Sequence, residues 1–132
     1  MNLPSHLTPS ERNSLEQALR EVTARFPEEI RFMALFGSKA RGDFGPDSDI
    51  DLLIIREGDD WQTRHAIRDP IYDANIEYTV MISPWVIGWE RFQRLLSWQP
   101  GLFATLCRDA IELWRRPGTD SPLGLPESAT TA

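Results

Sequence analysis

Leu35-Phe36-Gly37-Ser38-Lys39-Ala40-Arg41-Gly42-Asp43-Phe44-Gly45-Pro46-Asp47-Ser48-Asp49-Ile50-Asp51-Leu52-Leu53-Ile54-Ile55 is the stretch on which the reading of this chain turns. An apolar run ends in Gly37-Ser38, and a loop rich in Gly and Asp follows. Asp49 and Asp51 then open a second apolar run. Residues i and i+2 of a strand share a face. A strand over 49–55 therefore sets Asp49 and Asp51 side by side near its start, with Ile50, Leu52 and Ile54 facing a core. Leu53 and Ile55 follow the acids along their face, where a helix can bury them. Two adjacent carboxylates repel, and burying them unpaired is costly. Mg²⁺ relieves that cost, because it takes oxygen ligands and commonly combines one or two carboxylates with substrate phosphates.

Gly37 lets the backbone turn and lets a ligand come close. Ser38 is expected to cap a short helix through Lys39, Ala40 and Arg41, which Gly42 ends. A helix N-terminus with free N–H groups suits an anion, the Ser38 hydroxyl adds a donor, and Lys39 and Arg41 add positive charge. A Gly-Ser between apolar runs is ordinarily a plain turn, and an Asp-x-Asp at a strand start is ordinarily a solvated edge. Their order, with ten residues between Ser38 and Asp49, is what makes the pair specific.

This pattern resembles the signature of minimal nucleotidyltransferases in the DNA polymerase β superfamily. Ala40, Arg41 and Gly42 match the continuation of its first half, and Ser48 to Leu52 match its second. The resemblance spans roughly residues 8–115, with the specific motif inside 36–55. It implies an α/β (α+β) fold, a small mixed sheet flanked by helices. It implies a triphosphate held at Gly37 and Ser38, and Mg²⁺, two ions, held by Asp49 and Asp51; Arg41 either contacts the triphosphate or pairs with a nearby Asp. Lys39, a poorer bidentate phosphate ligand than Arg, stands where the family often has Arg. The family draws a third carboxylate from a neighbouring strand. Glu77 is the candidate for that role, as metal ligand and proton acceptor; the family more often has Asp there. Asp73 is the runner-up. Many single-domain members are antitoxins paired with HEPN-type toxins. The resemblance thus implies transfer of a nucleoside monophosphate, AMP from ATP in the first instance, to an acceptor hydroxyl on such a toxin. A competing reading is a catalytically weak nucleotide-binding module that neutralises its partner by contact.

The rest of the chain bounds these readings. Its 132 residues suit one domain with a real core, read as 1–116, followed by a disordered tail over 117–132 poor in apolar residues. The net charge of −6 argues against a protein that tracks long nucleic acid, though not against a free nucleotide or a nucleic-acid acceptor. The lone Cys107 allows no internal disulfide and suits a reducing cytoplasm. No segment reads as a signal peptide or a transmembrane span. The oligomeric state stays open, a homo-oligomer included.

Thr8-Pro9-Ser10-Glu11 is a helix start with a capping box, and Leu15, Ala18, Leu19 and Val22 follow at helical spacing. Ile30 to Phe36 reads as the first strand. Residues 61–72 are ambiguous, since Pro70 limits a helix. Ala74 to Ile82 alternates and reads as a third strand, the one carrying Glu77. Trp85 to Trp98 reads as a helix, 101–108 as another, and Ile111 to Trp114 as a last strand. Asp43 and Asp47 read as turn residues, His6 and His65 as isolated, and Cys107 as buried. Of the five Trp, most are expected in the core and some at a partner surface.

Overall fold

The computed structural model describes residues 3–43, 45 and 48–124. Helix α1, Pro9–Arg25, begins at Thr8, whose side chain accepts from Glu11 N while the Glu11 carboxylate accepts from Thr8 N. Strand β1, Ile30–Phe36, runs into a five-residue helix α2, Gly37–Arg41. Strand β2 is Ile50–Arg56, helix α3 is Trp61–Tyr78, strand β3 is Ile82–Gly88, helix α4 is Trp89–Trp98, helix α5 is Pro100–Asp109 and strand β4 is Ile111–Arg115.

The four strands form one mixed sheet in the order β3-β2-β1-β4. β1 lies antiparallel to both β2 and β4, and β2 lies parallel to β3. A parallel pair needs a crossover, and α3 provides it. One face of the sheet packs Met33, Leu35, Leu52 and Ile54 against Leu15, Leu19 and Val22 of α1 and Ile67 and Ile71 of α3. The other packs Phe32, Ala34, Leu53 and Ile55 against Phe92 of α4 and Leu106 of α5. The even residues of β2 therefore face the first core, and its odd residues, Asp51 among them, face the second.

Two expectations fail here. Residues 74–78 belong to α3, and the strand begins only at Ile82. Asp60 caps α3 by accepting from Thr63 N at 2.8 Å, and Ile67, Pro70, Ile71 and Ala74 bury one helical stripe that carries the helix past Pro70. Thr79, with φ 53°, closes it in the left-handed region. Residues 85–88, in turn, are strand, with Val86 and Ile87 buried, and the helix starts only at Trp89. β3 is an edge strand, where Pro84 is tolerated. Asn75 covers its start: the side-chain amide takes both the N–H and the C=O of Ile82, at 2.8 and 3.0 Å.

The chain beyond β4 also departs from a wholly disordered tail. Leu123 is buried in the second core, and its carbonyl lies 3.2 Å from Cys107 Sγ. Residues 125–132 of that expected tail lie outside the described residues. Arg56 is buried at the end of β2 and bonds Glu29 Oε1 and Asp60 Oδ1 at 2.6 and 2.7 Å, fastening the β2–α3 turn to the approach of β1. No helix among the described residues is long and apolar enough to cross a membrane.

Candidate active site

The site forms where β1, β2 and β3 end together. In the antiparallel register Phe36 pairs with Asp51, so Gly37 follows directly above that carboxylate. Gly37 adopts φ +73°, a conformation glycine reaches without strain, and a Cβ built on it would lie 2.3 Å from Asp51 Oδ2. Asp49 is exposed just before β2, and Asp51 is half-buried at its first turn.

Helix α2 departs in one detail from the sequence reading. Phe36 holds the N-cap position without a side-chain bond, and Ser38 lies inside the helix as its second residue. Gly42 ends the helix in the left-handed region, φ 91°, as the sequence suggests. Lys39 is turned away from solvent. Its Nζ lies 2.7 Å from Glu11 Oε2, both side chains are nearly buried, and the Lys39 carbonyl meets the His6 ring. Burial opposes ionisation of Glu11, but hydrogen bonds from Lys39 and Thr8 outweigh it and hold the carboxyl below its ordinary range. The positive charge of Lys39 is thus spent on fixing α2 to α1. Arg41 is exposed. Its Nε lies 3.1 Å from Asp43, and one terminal nitrogen lies 3.4 Å from Asp109 of α5.

Burial raises the Asp51 carboxyl above its ordinary range, the charge of Asp49 raises it further, and the charge of Arg41 works against both. Two hard oxygen donors, set against a glycine with no side chain, suit a divalent cation carrying phosphate oxygens. The donor set therefore fits Mg²⁺, which Asp49 and Asp51 could hold.

Glu77 does not join them. It lies exposed on α3, and its carboxylate accepts from Gln17 Nε2 of α1 at 2.6 Å. Asp73 is exposed on the same helix. The strand on the other side of β2 from β1 is β3, and the residue it sets opposite Asp51 is Ser83. The Ser83 hydroxyl donates to Asp49 Oδ2 at 3.0 Å. Spacing along the chain carries no trace of Ser83's role, because only the β2–β3 register brings it to the acids. Trp85, two residues on, packs edge-on against Phe36 at 5.9 Å and Phe92 at 6.1 Å, bracing the strand ends that carry Gly37 and Ser83. On the other side of Asp49 a cleft of about 920 Å³ opens between the start of α1 and the α3–β3 turn, with Ile76 and Met81 exposed on its wall.

Comparisons with known proteins bear on the family and the fold. The family model for a nucleotidyltransferase domain matches residues 15–84, more than half of the chain. A Methanocaldococcus jannaschii protein named as a candidate protein adenylyltransferase is 29% identical over 89 residues, covering 67% of this chain and 85% of that one. Among solved structures, a chain of a toxin–antitoxin complex with AMP-PNP aligns at a TM-score of 0.50 and 16% identity, covering 77% of this chain and 74% of the other. A chain of a mutant MntA–HpeT toxin–antitoxin aligns equally well, at a TM-score of 0.50 and 14% identity over the same shares. At these identities the structural likeness speaks for the fold.

Proposed function

Since the chain belongs to the nucleotidyltransferase domain family, and is on that ground a nucleotidyltransferase, we propose that it transfers AMP from ATP to a hydroxyl of a partner protein. The observation that carries this reading is the seat of Asp51 under Gly37, with Asp49 one residue before β2. The open backbone at Gly37 and the Ser38 hydroxyl receive the triphosphate, and Arg41 exchanges Asp43 and Asp109 for a phosphate oxygen. Asp49 and Asp51 hold Mg²⁺, which when bound neutralises charge developing on the phosphates. Most of the rate then comes from holding the α-phosphorus and the acceptor in line.

A protein acceptor is favoured by the Methanocaldococcus jannaschii relative, named for adenylyl transfer to protein. The toxin–antitoxin neighbours support a toxin as that partner; its HEPN type and an antitoxin role for this chain rest on the motif's resemblance, and a reducing cytoplasm on the lone Cys107. A second reading, a nucleotide-binding module that silences its partner by contact, draws on the serine opposite Asp51.

One experiment separates them. The protein is incubated with α-labelled ATP, Mg²⁺ and a HEPN-type toxin encoded beside it. Label on the toxin, lost in Asp49→Ala/Asp51→Ala, is the expected result. Toxin neutralised equally by the double variant, with no label moved, refutes the enzymatic reading.

A further inference from the structure

We propose that Ser83 occupies the place of a third metal-binding carboxylate, and that the base taking the acceptor's proton is brought by the acceptor itself. This rests on the nucleotidyl-transfer reading above.

Ser83 is the direct register partner of Asp51 on the adjoining parallel strand, and its side chain reaches Asp49. A carboxylate at this residue would stand beside the other two. A serine hydroxyl carries no charge at neutral pH and is a poor proton acceptor. Its O–H instead takes one lone pair of Asp49 Oδ2, fixing that carboxylate while leaving its other oxygen available. Ser83 is thus a positioning residue, acting through Asp49.

No other described acid fills the gap. The described residues contain no group of three or more His, Cys, Asp or Glu arranged to hold a metal. Glu77 is engaged by Gln17. Asp109 is held by Arg108 at 2.9 Å and by Arg41, and Asp43 is held by Arg41.

The transfer then balances as follows. The acceptor O–H yields its proton to a carboxylate or imidazole lying beside it on the acceptor. The freed oxygen forms a bond to the α-phosphorus. The bond from that phosphorus to the bridging oxygen breaks, and pyrophosphate leaves with the electron pair. The substrate class is a hydroxyl with its own neighbouring base. Water, lacking one, is a poor acceptor, which spares ATP between encounters.

The test uses the full chain as wild type, Ser83→Ala and Ser83→Asp, with folding checked by circular dichroism. Mn²⁺ binding is titrated, and pyrophosphate release from ATP into water is followed at fixed pH and ionic strength with rising imidazole. Ser83→Asp should bind Mn²⁺ about tenfold more tightly, through one more charged ligand. Ser83→Ala should bind it about tenfold more weakly, having lost the bond that orients Asp49. Wild-type pyrophosphate release should climb with imidazole, and that of Ser83→Asp should be faster and indifferent to it. A folded Ser83→Asp that binds Mn²⁺ no more tightly than wild type overturns the proposal, as does a wild-type rate that imidazole leaves flat. Failure of the wild type to bind Mg-ATP at all overturns the transfer reading along with it.

Discussion

Gly37 and Asp51 are packed so closely that no side chain fits between them: a Cβ on Gly37 would come within 2.3 Å of Asp51 Oδ2. The proposed phosphate turn and the proposed metal ligand are one structure, and disturbing one displaces the other. Gly37→Ala should cost about 1 kcal/mol or more of stability, through strain at a positive φ. It should cost far more in function, since the displaced carboxylate is the proposed metal ligand. Urea denaturation beside ATP and Mn²⁺ titration checks this. Loss of stability alone, with nucleotide and metal binding intact, would refute the coupling.

The two acids should behave alike in catalysis and unlike in stability. Asp49→Asn and Asp51→Asn should each lower transfer about a hundredfold or more, by removing charge from a preorganised site. Only Asp51 is half-buried, and its ionised form is disfavoured there. In metal-free buffer at neutral pH, Asp51→Asn should therefore melt above wild type, whereas Asp49→Asn should melt close to it. Added Mg²⁺ should raise wild-type Tm and leave Asp51→Asn little changed.

Glu77→Ala should leave transfer within about twofold of wild type, the range of surface changes away from a site. Its carboxylate serves Gln17 on the outer side of α1 and α3. A hundredfold loss of kcat with ATP affinity preserved would restore Glu77 to the chemistry and remove the need for Ser83.

The Lys39–Glu11 pair gives the site a pH signature. Glu11 titrates below its ordinary range in the folded chain. Its contribution to stability is present above the unfolded carboxylate pKa, about 4.3, and is lost as pH falls through the lower folded value. Wild type should therefore be more stable than Glu11→Gln at neutral pH, and the gap should close on acidification below that range. Thermal melts of both proteins from neutral pH down to the edge of acid unfolding decide it. A gap that widens with acid would reverse the sign and exclude the ion pair as its source.

Much of this architecture can be read from local signals. The Thr8 to Glu11 capping box, the Gly37 and Gly42 ends of α2, and the i, i+2 placement of the acids each depend on residues a few positions apart. The α3–β3 junction could not be read so. Ile76, Tyr78, Val80 and Ile82 alternate like a strand, yet they straddle a helix end: Ile76 is 80% exposed on α3 and Ile82 is fully buried on β3. What decides there is the non-local demand that parallel β2 and β3 be joined by a crossover. The place of Glu77 turns on the same junction: a strand over 74–82 would carry it towards the acids, whereas α3 carries it to Gln17. Ser83 could be found only once the register of two strands more than twenty residues apart was known.

The β1–α2–β2 unit, residues 30–56, is a single contiguous piece of chain that contains Gly37, Ser38, Asp49 and Asp51. Ser83 comes from outside it, delivered by α3. The glycine turn and both acids are thus set by one local stretch of chain, whereas the hydroxyl beside them depends on a strand pairing made across the sheet.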